Sequence, residues 1–261
     1  MLISTWNVNS VKQRLEHLTR FLEETRPDVL CLQELKCLDE AFPSAAVEAL
    51  GYNLAVHGQK AFNGVALLSR HPIADIRRGL PGAPDDEQAR YIEALVSCPS
   101  GKAVRVASIY LPNGNPVGTD KFGYKLAWME RLIAHAGELL LLEESLLLAG
   151  DYNIIPDGRD VYDPAAWTGD ALFRPDSRAA FRRLLALGLT DAVRACDDRP
   201  GLYSFWDYQA GAWQRNKGIR IDHLLLSPQA ADLLVSTDIH KGLRAWDKPS
   251  DHVPVSTRLR L

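Results

Sequence analysis

The sequence predicts an α/β protein in which β-sheets are flanked by helices. Two segments, Leu2–Glu34 and Val104–Asp151, follow the same plan: a strand, polar residues that include an Asn, a helix, and an apolar strand that ends on a carboxylate. No linker or change in composition divides the 261 residues, so we expect one domain over 1–261. Because ligands of such sheets bind beyond the carboxyl ends of the strands, the polar residues at these ends are predicted to form one site.

The first segment begins with an alternating strand over 2–9 and continues as a helix. Ser10 and Gln13 have the spacing of a capping box at the start of a helix, and Pro27 ends it. Apolar residues recur at helical spacing in between: Val11, Leu15, Leu18 and Leu22. Residues 28–34 then form an apolar run without alternation, which is typical of a strand buried on both faces.

The second segment has a strand over 104–110, an amphipathic helix and a buried strand over 146–151. A third helix is predicted from about Asp176 to a Gly188 cap, and Ser227 followed by Pro228 begins a fourth. The remaining predicted elements are strands over 63–69, 91–96 and 253–259, and a loop over 81–86.

Composition and charge exclude several classes of protein. The chain has 30 Lys and Arg against 33 Asp and Glu, a net charge of −3, so any contact with a polyanion must come from a local patch, from metal ions or from backbone donors. The most apolar stretch, Leu139–Leu148, is interrupted by Glu143 and Glu144 and is too short to span a membrane. The N-terminus lacks the pattern of a signal peptide, and the four Cys fit no zinc spacing. We therefore expect a cytoplasmic protein with reduced thiols and no membrane partner.

Polar residues gather at the ends of apolar strands in five clusters. These are Trp6–Asn9, Gln33–Lys36, Gly150–Asn153, Arg220–His223 and Ser250–Pro254. A buried carboxylate is costly unless it is paired or bound to a metal. A helix cap or a turn is the simpler explanation for any one cluster, but five clusters of the same kind favour a shared functional site.

The clusters supply a ligand set that is rich in oxygen. They contain the carboxylates of Glu34, Asp151, Asp222 and Asp251, together with Asn side chains and His252. Such ligands favour Mg²⁺ or Mn²⁺ over zinc. A metal that neutralises phosphoryl oxygens, beside a base that activates water, is typical of phosphate-ester hydrolysis. Asp222 is predicted to orient His252, as in other carboxylate–imidazole pairs.

The clusters appear in the order found in the exonuclease III family, which the chain resembles over nearly its whole length. Further matching segments are Tyr110–Gly114, Lys121–Trp128, Asp160–Pro164 and Ser204–Tyr208. Members of that family are bacterial AP endonucleases of the endonuclease/exonuclease/phosphatase superfamily. The resemblance implies a DNase I-like, four-layer αββα sandwich, in which two packed mixed β-sheets are flanked by helices and the site lies at one end of the sheets.

The resemblance also implies a role for each site residue. The implied ligands of Mg²⁺ are Asn7, Glu34, Asp151, Asn153 and Asp251. The implied catalytic residues are Tyr110, Asp151, Asn153, Asp222 and His252. Asp151 would activate or position the attacking water or protonate the leaving group, Asn153 would contact the scissile phosphate, and His252 would bind the phosphate or assist the water. The identity of the general base and the number of metal ions stay open.

Contacts with DNA are expected from a basic loop and a small apolar pocket. The implied substrate-binding residues are Asn113, Phe205, Trp206, Arg215, Lys217, Ile219 and Ile221. By resemblance, Phe205, Ile219 and Ile221 shape a pocket that admits a sugar without a base, although Phe205 and Trp206 are more often core residues in a generic chain. Phosphate contact is also expected of the basic loop Arg215–Arg220 and of three further residues, because both groups adjoin predicted catalytic positions. Those three residues are Lys241, Arg244 and Lys248.

The resemblance favours a Mg²⁺-dependent hydrolase that cuts duplex DNA 5′ to abasic sites, leaves a 3′-hydroxyl and also acts as a 3′→5′ exonuclease and 3′-phosphatase on blocked ends. A monomer is the default expectation. Two alternatives stay open at this point. One is a phosphoesterase of the same fold that acts on RNA, phospholipids or inositol phosphates. The other is a DNA-binding protein without activity, which the presence of Glu34, Asp151 and His252 argues against.

Overall fold

The computed structural model describes residues 1–98 and 100–261. Its strands form two six-stranded sheets that share a core between them, and helices pack on the two outer faces. Each sheet combines one parallel pair with antiparallel neighbours. The prediction of two packed mixed sheets flanked by helices is confirmed.

The strands are β1 (Leu2–Asn7), β2 (Val29–Gln33), β3 (Asn53–His57), β4 (Val65–Ser69), β5 (Ile73–Arg78), β6 (Tyr91–Ser97), β7 (Ala103–Tyr110), β8 (Leu146–Asp151), β9 (Thr190–Asp191), β10 (Asp222–Leu226), β11 (Leu234–Ile239) and β12 (Val255–Leu259). The α-helices are α1 (Leu15–Thr25), α2 (Ser44–Glu48), α3 (Asp120–Leu140), α4 (Pro175–Leu185), α5 (Ala192–Cys196) and α6 (Pro228–Ala231). Short 3₁₀ helices span Asp39–Ala41, Gly158–Asp160, Pro164–Trp167 and Lys241–Ala245.

The topology brings the ends of four central strands together. The strand order is β11-β12-β1-β2-β4-β3 in the first sheet and β5-β6-β7-β8-β10-β9 in the second. The parallel pairs are β1 with β2 and β7 with β8, and their last residues are in register, Asn7 with Gln33 and Tyr110 with Asp151. The Asn7 Nδ2 donates to Asp151 Oδ2 across 3.0 Å, so the carboxyl ends of both pairs meet at one end of the sandwich.

Three apolar layers hold the sheets and helices in place. The layer between the sheets contains Ile3 and Val29 from the first sheet and Val106 and Leu147 from the second, all of them fully buried. The outer face of the first sheet packs against α1, and that of the second packs against α3 and α4. Among the described residues, no helix is both long enough and apolar enough to cross a membrane.

The start of the first helix differs from the prediction. Helix α1 begins at Leu15, not at a capping box on Ser10, and the side chain of its N-cap Arg14 makes no capping hydrogen bond. Ser10 has a φ of 85°, and its backbone N–H donates to the carbonyl of Glu34. This long-range contact fixes the 8–14 segment beside β2 and overrides the local capping signal.

Candidate active site

A cavity of about 310 Å³ opens at the end of the sandwich where the parallel pairs meet. We call it the active-site cavity. Its wall contains Glu34, Tyr110, Asn113, Asn115, Asp151, Asn153, Trp167, Asp170, Leu172, Phe205, Asp207, Ile221, Asp251 and His252. Four of the five predicted polar clusters therefore contribute to one cavity. The remaining cluster, Trp6–Asn9, contacts the carboxylates of the cavity through Asn7.

Two carboxylates and an imidazole lie at the centre of the cavity. In the described part of the chain, Glu34, Asp151 and His252 each offer a ligand atom within 4.8 Å of the others. The Asn7 Nδ2 bridges the carboxylates, at 2.8 Å from Glu34 Oε1 and 3.0 Å from Asp151 Oδ2. Two converging carboxylates in a polar cavity that is open to water and phosphate oxygens fit the ligand preference of Mg²⁺ or Mn²⁺.

The electrostatic environment keeps Glu34 ionised. Burial alone would raise the pKa of Glu34, but the Lys36 ammonium at 2.9 Å and the hydrogen bond from Asn7 outweigh it and lower that pKa. Glu34 also has a φ of 54°, in the left-handed region that residues other than Gly and Asn rarely adopt. The fold thus holds a strained, charged carboxylate in place, which is a pattern typical of functional sites.

His252 is held in one orientation by a buried carboxylate. Its Nδ1–H donates to Asp222 Oδ2 at 2.8 Å, and the Ser204 hydroxyl donates to the same oxygen at 2.6 Å. This directs Nε2 into the cavity, 3.7 Å from Asp151 Oδ2. Burial would lower the pKa of His252, but the charges of Asp222 and Asp151 raise it to about 10.

Asp151 is completely enclosed by the strands that meet here. Burial raises its pKa to about 7, against the opposing effects of the His252 charge and of hydrogen bonds from the Asn153 N–H and Asn7. The pKa values of Asp151 and His252 are thus both raised, but for different reasons: burial dominates at Asp151, and the neighbouring carboxylate charges dominate at His252. A carboxyl that gives or takes a proton near neutral pH, beside a cationic imidazole, suits hydrolysis of a phosphate ester.

Asn153 and Asn113 form a pair of amides beside Asp151. Asn153 donates from Nδ2 to the carbonyl of Leu111 at 2.9 Å, and Asn113 donates to Asn153 Oδ1 at 3.2 Å. Asn153 has a φ of 47°, a conformation that Asn tolerates, and its N–H donates to Asp151 Oδ1. Tyr110 is half-buried next to them, and burial together with the nearby carboxylates raises its pKa well above the usual value.

The buried Lys125 of α3 fixes both amides through their backbone. Its Nζ donates to the carbonyls of Pro112, Asn113 and Asn153 at 3.2, 3.1 and 2.6 Å. Gly114 has a φ of +86°, and a Cβ there would lie 2.6 Å from the Lys125 side chain, so only glycine fits at this position. Lys125 belongs to the segment 121–128 that the resemblance includes, but the sequence alone assigned it no role.

Replacing Lys125 by Met is expected to lower kcat about tenfold, because the Asn113 and Asn153 loops lose their common anchor and the amides move from the reacting phosphate. Steady-state kinetics on a nuclease substrate measure this, with the exposed Lys121→Met one turn earlier as the matched control. A lower melting temperature with unchanged kcat would show that Lys125 serves only the fold.

Two of the remaining three predicted metal ligands, Asn7 and Asp251, are placed less directly. The Oδ1 of Asn7 accepts the Asn9 N–H at 3.0 Å, so its nitrogen faces the carboxylates. A metal bound there contacts the Asn7 oxygen only after the amide turns. Asp251 lines the cavity, but its Oδ1 accepts from Asn9 Nδ2 at 3.0 Å, and it lies outside the Glu34–Asp151–His252 cluster. The metal roles of all five predicted ligands stay predictions.

The predicted apolar pocket is divided between two places. Phe205 and Ile221 line the active-site cavity, and the Phe205 ring lies 4.9 Å from that of His252 in an edge contact. Ile219 lines a neighbouring cavity behind Phe205. Trp206 is completely buried and packs against Tyr203 and Trp213, so the expectation that it contacts substrate is wrong. For Trp206, the alternative of a core role is correct.

The basic groups also separate into exposed and buried members. Arg215, Lys217 and Lys248 are exposed and remain available to a phosphate backbone. Arg220 is wrongly placed in that group, because it is 1% exposed and pairs with Asp160 at 2.7 Å and Asp191 at 2.8 Å. The ion pairs draw its side chain inward, away from any DNA. Arg244 is buried as well and donates to the Trp206 carbonyl, and Lys241 donates to the carbonyl of Gly201.

Replacing Arg220 by Met is expected to lower the free energy of unfolding by about 3–5 kcal/mol, because Asp160 and Asp191 stay buried without that partner. Urea denaturation measures the change. The matched control is Arg199→Met, which breaks a solvent-screened pair with Asp197 and is expected to leave the free energy of unfolding nearly unchanged. Unchanged stability together with weaker DNA binding would restore Arg220 to the phosphate-contacting group.

Sequence reasoning missed part of the cavity wall. Trp167, Asp170 and Leu172 come from the long segment between β8 and α4, which has no regular periodicity, and Asn115 comes from the loop before α3. Asn115 Nδ2 donates to Asp170 Oδ1 at 3.1 Å and ties the two loops together. The segment Asp160–Pro164, which the resemblance includes, leads directly into the 3₁₀ helix that ends at Trp167.

Comparison with known proteins agrees with this geometry. The sequence profile of the Endonuclease/Exonuclease/phosphatase family matches residues 4–252. The chain is 36% identical to Exodeoxyribonuclease III of Haemophilus influenzae over 267 aligned positions, which cover 98% of both proteins. Among solved structures, a 3′ phosphatase from Neisseria bound to a product DNA hairpin is 39% identical, with a TM-score of 0.95 over 100% of both chains. An AP endonuclease from Archaeoglobus fulgidus is 34% identical, with a TM-score of 0.94 over 100% of both chains.

A DNase I-like sandwich is therefore shared with nucleases over the full length of the chain. The carboxylates, the imidazole and the amides meet where the strands of that sandwich end. This chain belongs to the Endonuclease/Exonuclease/phosphatase family and is a phosphodiester-hydrolysing nuclease.

Proposed function

We propose that the protein is a Mg²⁺-dependent DNA repair nuclease that cleaves the backbone 5′ to abasic sites and leaves a 3′-hydroxyl. The observation that carries the proposal is the convergence of Glu34, Asp151 and His252 within 4.8 Å in a cavity that also has an apolar wall. An abasic nucleotide is the easiest nucleotide to turn out of a duplex, because it has no base to unstack. Relatives named for exonuclease, 3′ phosphatase and AP endonuclease activity support the choice of DNA.

Glu34, with Asp151 beside it, would hold the divalent ion, which would supply charge neutralisation at the scissile phosphate. His252 donates from Nε2 to a phosphate oxygen, because Asp222 fixes the opposite ring nitrogen. Asn153 and Asn113 line the same cavity, and each would add a neutral donor through the amide N–H that its contact with Leu111 or Asn153 leaves over. Asp151 exchanges a proton with the attacking water or with the leaving oxygen, and its buried position keeps bulk water from competing for that proton.

Processing of 3′ ends by the same site is a second candidate function. The Neisseria neighbours, at 39% and 40% identity, are named as a 3′ phosphatase and a 3′-5′ exonuclease. A phosphate at a blocked 3′ end presents the same oxygens to His252 and Asn153 as an internal phosphodiester does. One set of residues therefore serves both reactions, and loop shape decides their balance.

The experiment is cleavage of an end-labelled duplex that carries one stable abasic analogue, in Mg²⁺ and in EDTA. A matched duplex with a 3′-phosphate tests end processing, and a single-stranded RNA and an inositol phosphate serve as rival substrates. We expect a Mg²⁺-dependent nick immediately 5′ to the analogue. An intact DNA beside a hydrolysed rival moves the protein to another branch of the family, and inactivity on every substrate favours a role in binding only.

A further inference from the structure

A second cavity adjoins the active-site cavity at Phe205. Its volume is about 260 Å³, and we call it the aromatic cavity. Tyr162, Trp167 and Phe205 supply aromatic surface, Ile219 adds an apolar side chain, and Lys217 and Gln209 add polar groups. Phe205, Trp167 and Asp207 line both cavities and are partly or fully exposed, so the two cavities adjoin at the protein surface.

Backbone bridges and a capped 3₁₀ helix hold several of the residues that line the aromatic cavity. Isolated antiparallel bridges join Ile219 to Val161 and to Phe205 and so fix two of its lining residues, Ile219 and Phe205. Trp167 ends a 3₁₀ helix whose N-cap Asp163 accepts from the backbone of Ala165 and Ala166. The cavity is thus built from fixed segments, and its aromatic residues are set in place before any ligand enters.

Its chemistry suits a flat, uncharged ring that is attached to a phosphate. Tyr162 is 37% exposed, and the Nζ of Lys217 lies 5.6 Å from the centre of its ring, so a cation and an aromatic face stand side by side at the rim. Nucleobases stack on aromatic side chains irrespective of sequence, since every base has a π-face. The neighbouring active-site cavity, by contrast, is dominated by carboxylates and amides that suit phosphate and sugar.

We propose that the aromatic cavity binds the nucleobase of a nucleotide whose phosphate lies at the Glu34–Asp151–His252 centre. This rests on the proposed nuclease function and assigns a place to the base of a nucleotide that keeps it, such as the last nucleotide of a 3′ end. A sugar without a base fills only the active-site cavity, whereas a base-bearing nucleotide fills both. The aromatic cavity therefore sets the balance between exonuclease action and cleavage at abasic sites.

The first test measures binding and needs no turnover. Deoxyadenosine 5′-monophosphate and 2-deoxyribose 5-phosphate differ only in the base, and their affinities are measured by calorimetry in Mg²⁺. We expect the nucleotide to bind at least about tenfold more tightly to the wild-type protein, and the Tyr162→Ala and Trp167→Ala variants to lose most of that difference. Tyr162→Phe keeps the ring and is expected to keep the difference. Equal affinities in the wild type, or a difference that both alanine variants retain, overturn the proposal.

The second test measures selectivity in catalysis. Two duplexes with the same recessed 3′ end carry either a normal terminal nucleotide or a stable abasic analogue. We expect Tyr162→Ala to lower kcat/KM about tenfold on the base-bearing end and less than about threefold on the abasic end. Equal losses on both ends contradict a base-binding role. If the wild-type protein cleaves neither duplex, the nuclease proposal fails, and the binding measurement still decides whether the cavity takes a base.

Discussion

Replacing Asp151 by Asn is expected to lower kcat on an abasic duplex by about 10²–10³-fold, the typical loss when one preorganised electrostatic contact is removed. The amide keeps the size of the side chain, but it neither carries the charge that helps to hold a divalent ion nor exchanges a proton with water. Single-turnover cleavage in Mg²⁺ measures the loss directly. The single amide oxygen can keep one of the two hydrogen bonds that Asp151 accepts, because the Asn153 N–H donates to Oδ1 and Asn7 donates to Oδ2.

The same substitution is expected to raise stability while it removes activity. Burial raises the pKa of Asp151 to about 7, so above that pH the folded state bears an ionised carboxylate that the unfolded state would solvate better. The amide avoids this cost. In EDTA at pH 8, the melting temperature of Asp151→Asn should therefore exceed that of the wild type. A functional residue that lowers stability in this way reflects the common trade-off between activity and stability.

A matched control tests whether these effects are specific to the active site or follow from the removal of any carboxylate charge. Asp198 is also a carboxylate with one basic partner, Arg159, but its side chain is 83% exposed. Asp198→Asn is expected to leave both the cleavage rate and the melting temperature near those of the wild type. If Asp151→Asn turns over at a rate close to that of the wild type, Asp151 has no part in the chemistry.

The buried parts of the fold were predictable because their sequence signals are strong. Strand β8 matches its predicted bounds over 146–151, because a continuous apolar run of this length is typical of a buried strand and short for a helix. Strands β5 and β11 were not predicted. Each lies at a sheet edge and is mostly exposed, so it lacks the apolar pattern on which sequence reasoning depends.

The centre of the site was predictable for a related reason. Polar residues that follow apolar strands, such as Glu34 and Asp151, stand out in a sequence, and parallel strands bring such residues to one edge. The supporting residues were not predictable in the same way. Lys125 lies on a helix face and Trp167 in an irregular segment, and neither position looks unusual until the chain folds. The error at Arg220 is of the opposite kind. Its place in a basic loop predicted a contact with phosphate, but its side chain is buried.

Replacing His252 by Asn is expected to lower kcat by about 10²–10³-fold, with little change in KM, because the imidazole contact strengthens as charge develops on the phosphate. The Nδ1–H of His252 donates to Asp222 at 2.8 Å, and its ring packs on Phe205, so the imidazole is fixed before substrate arrives. An Asn side chain is shorter and uncharged, and it cannot donate to Asp222 and to a phosphate at the same time. Steady-state kinetics on the abasic duplex measure the split between kcat and KM.

The role of Asp222 follows from a double-mutant cycle. If Asp222 acts only by orienting His252, Asp222→Asn lowers kcat in the wild-type background but has little further effect in His252→Asn. The kcat of the double variant is then close to that of His252→Asn alone, and the loss is smaller than the product of the two single losses. Multiplying losses would show that Asp222 acts on the substrate by another route, for which its Oδ1 is the available atom, since it has no hydrogen-bond partner among the described residues. Retention of wild-type kcat in His252→Asn would remove the dyad from the mechanism altogether.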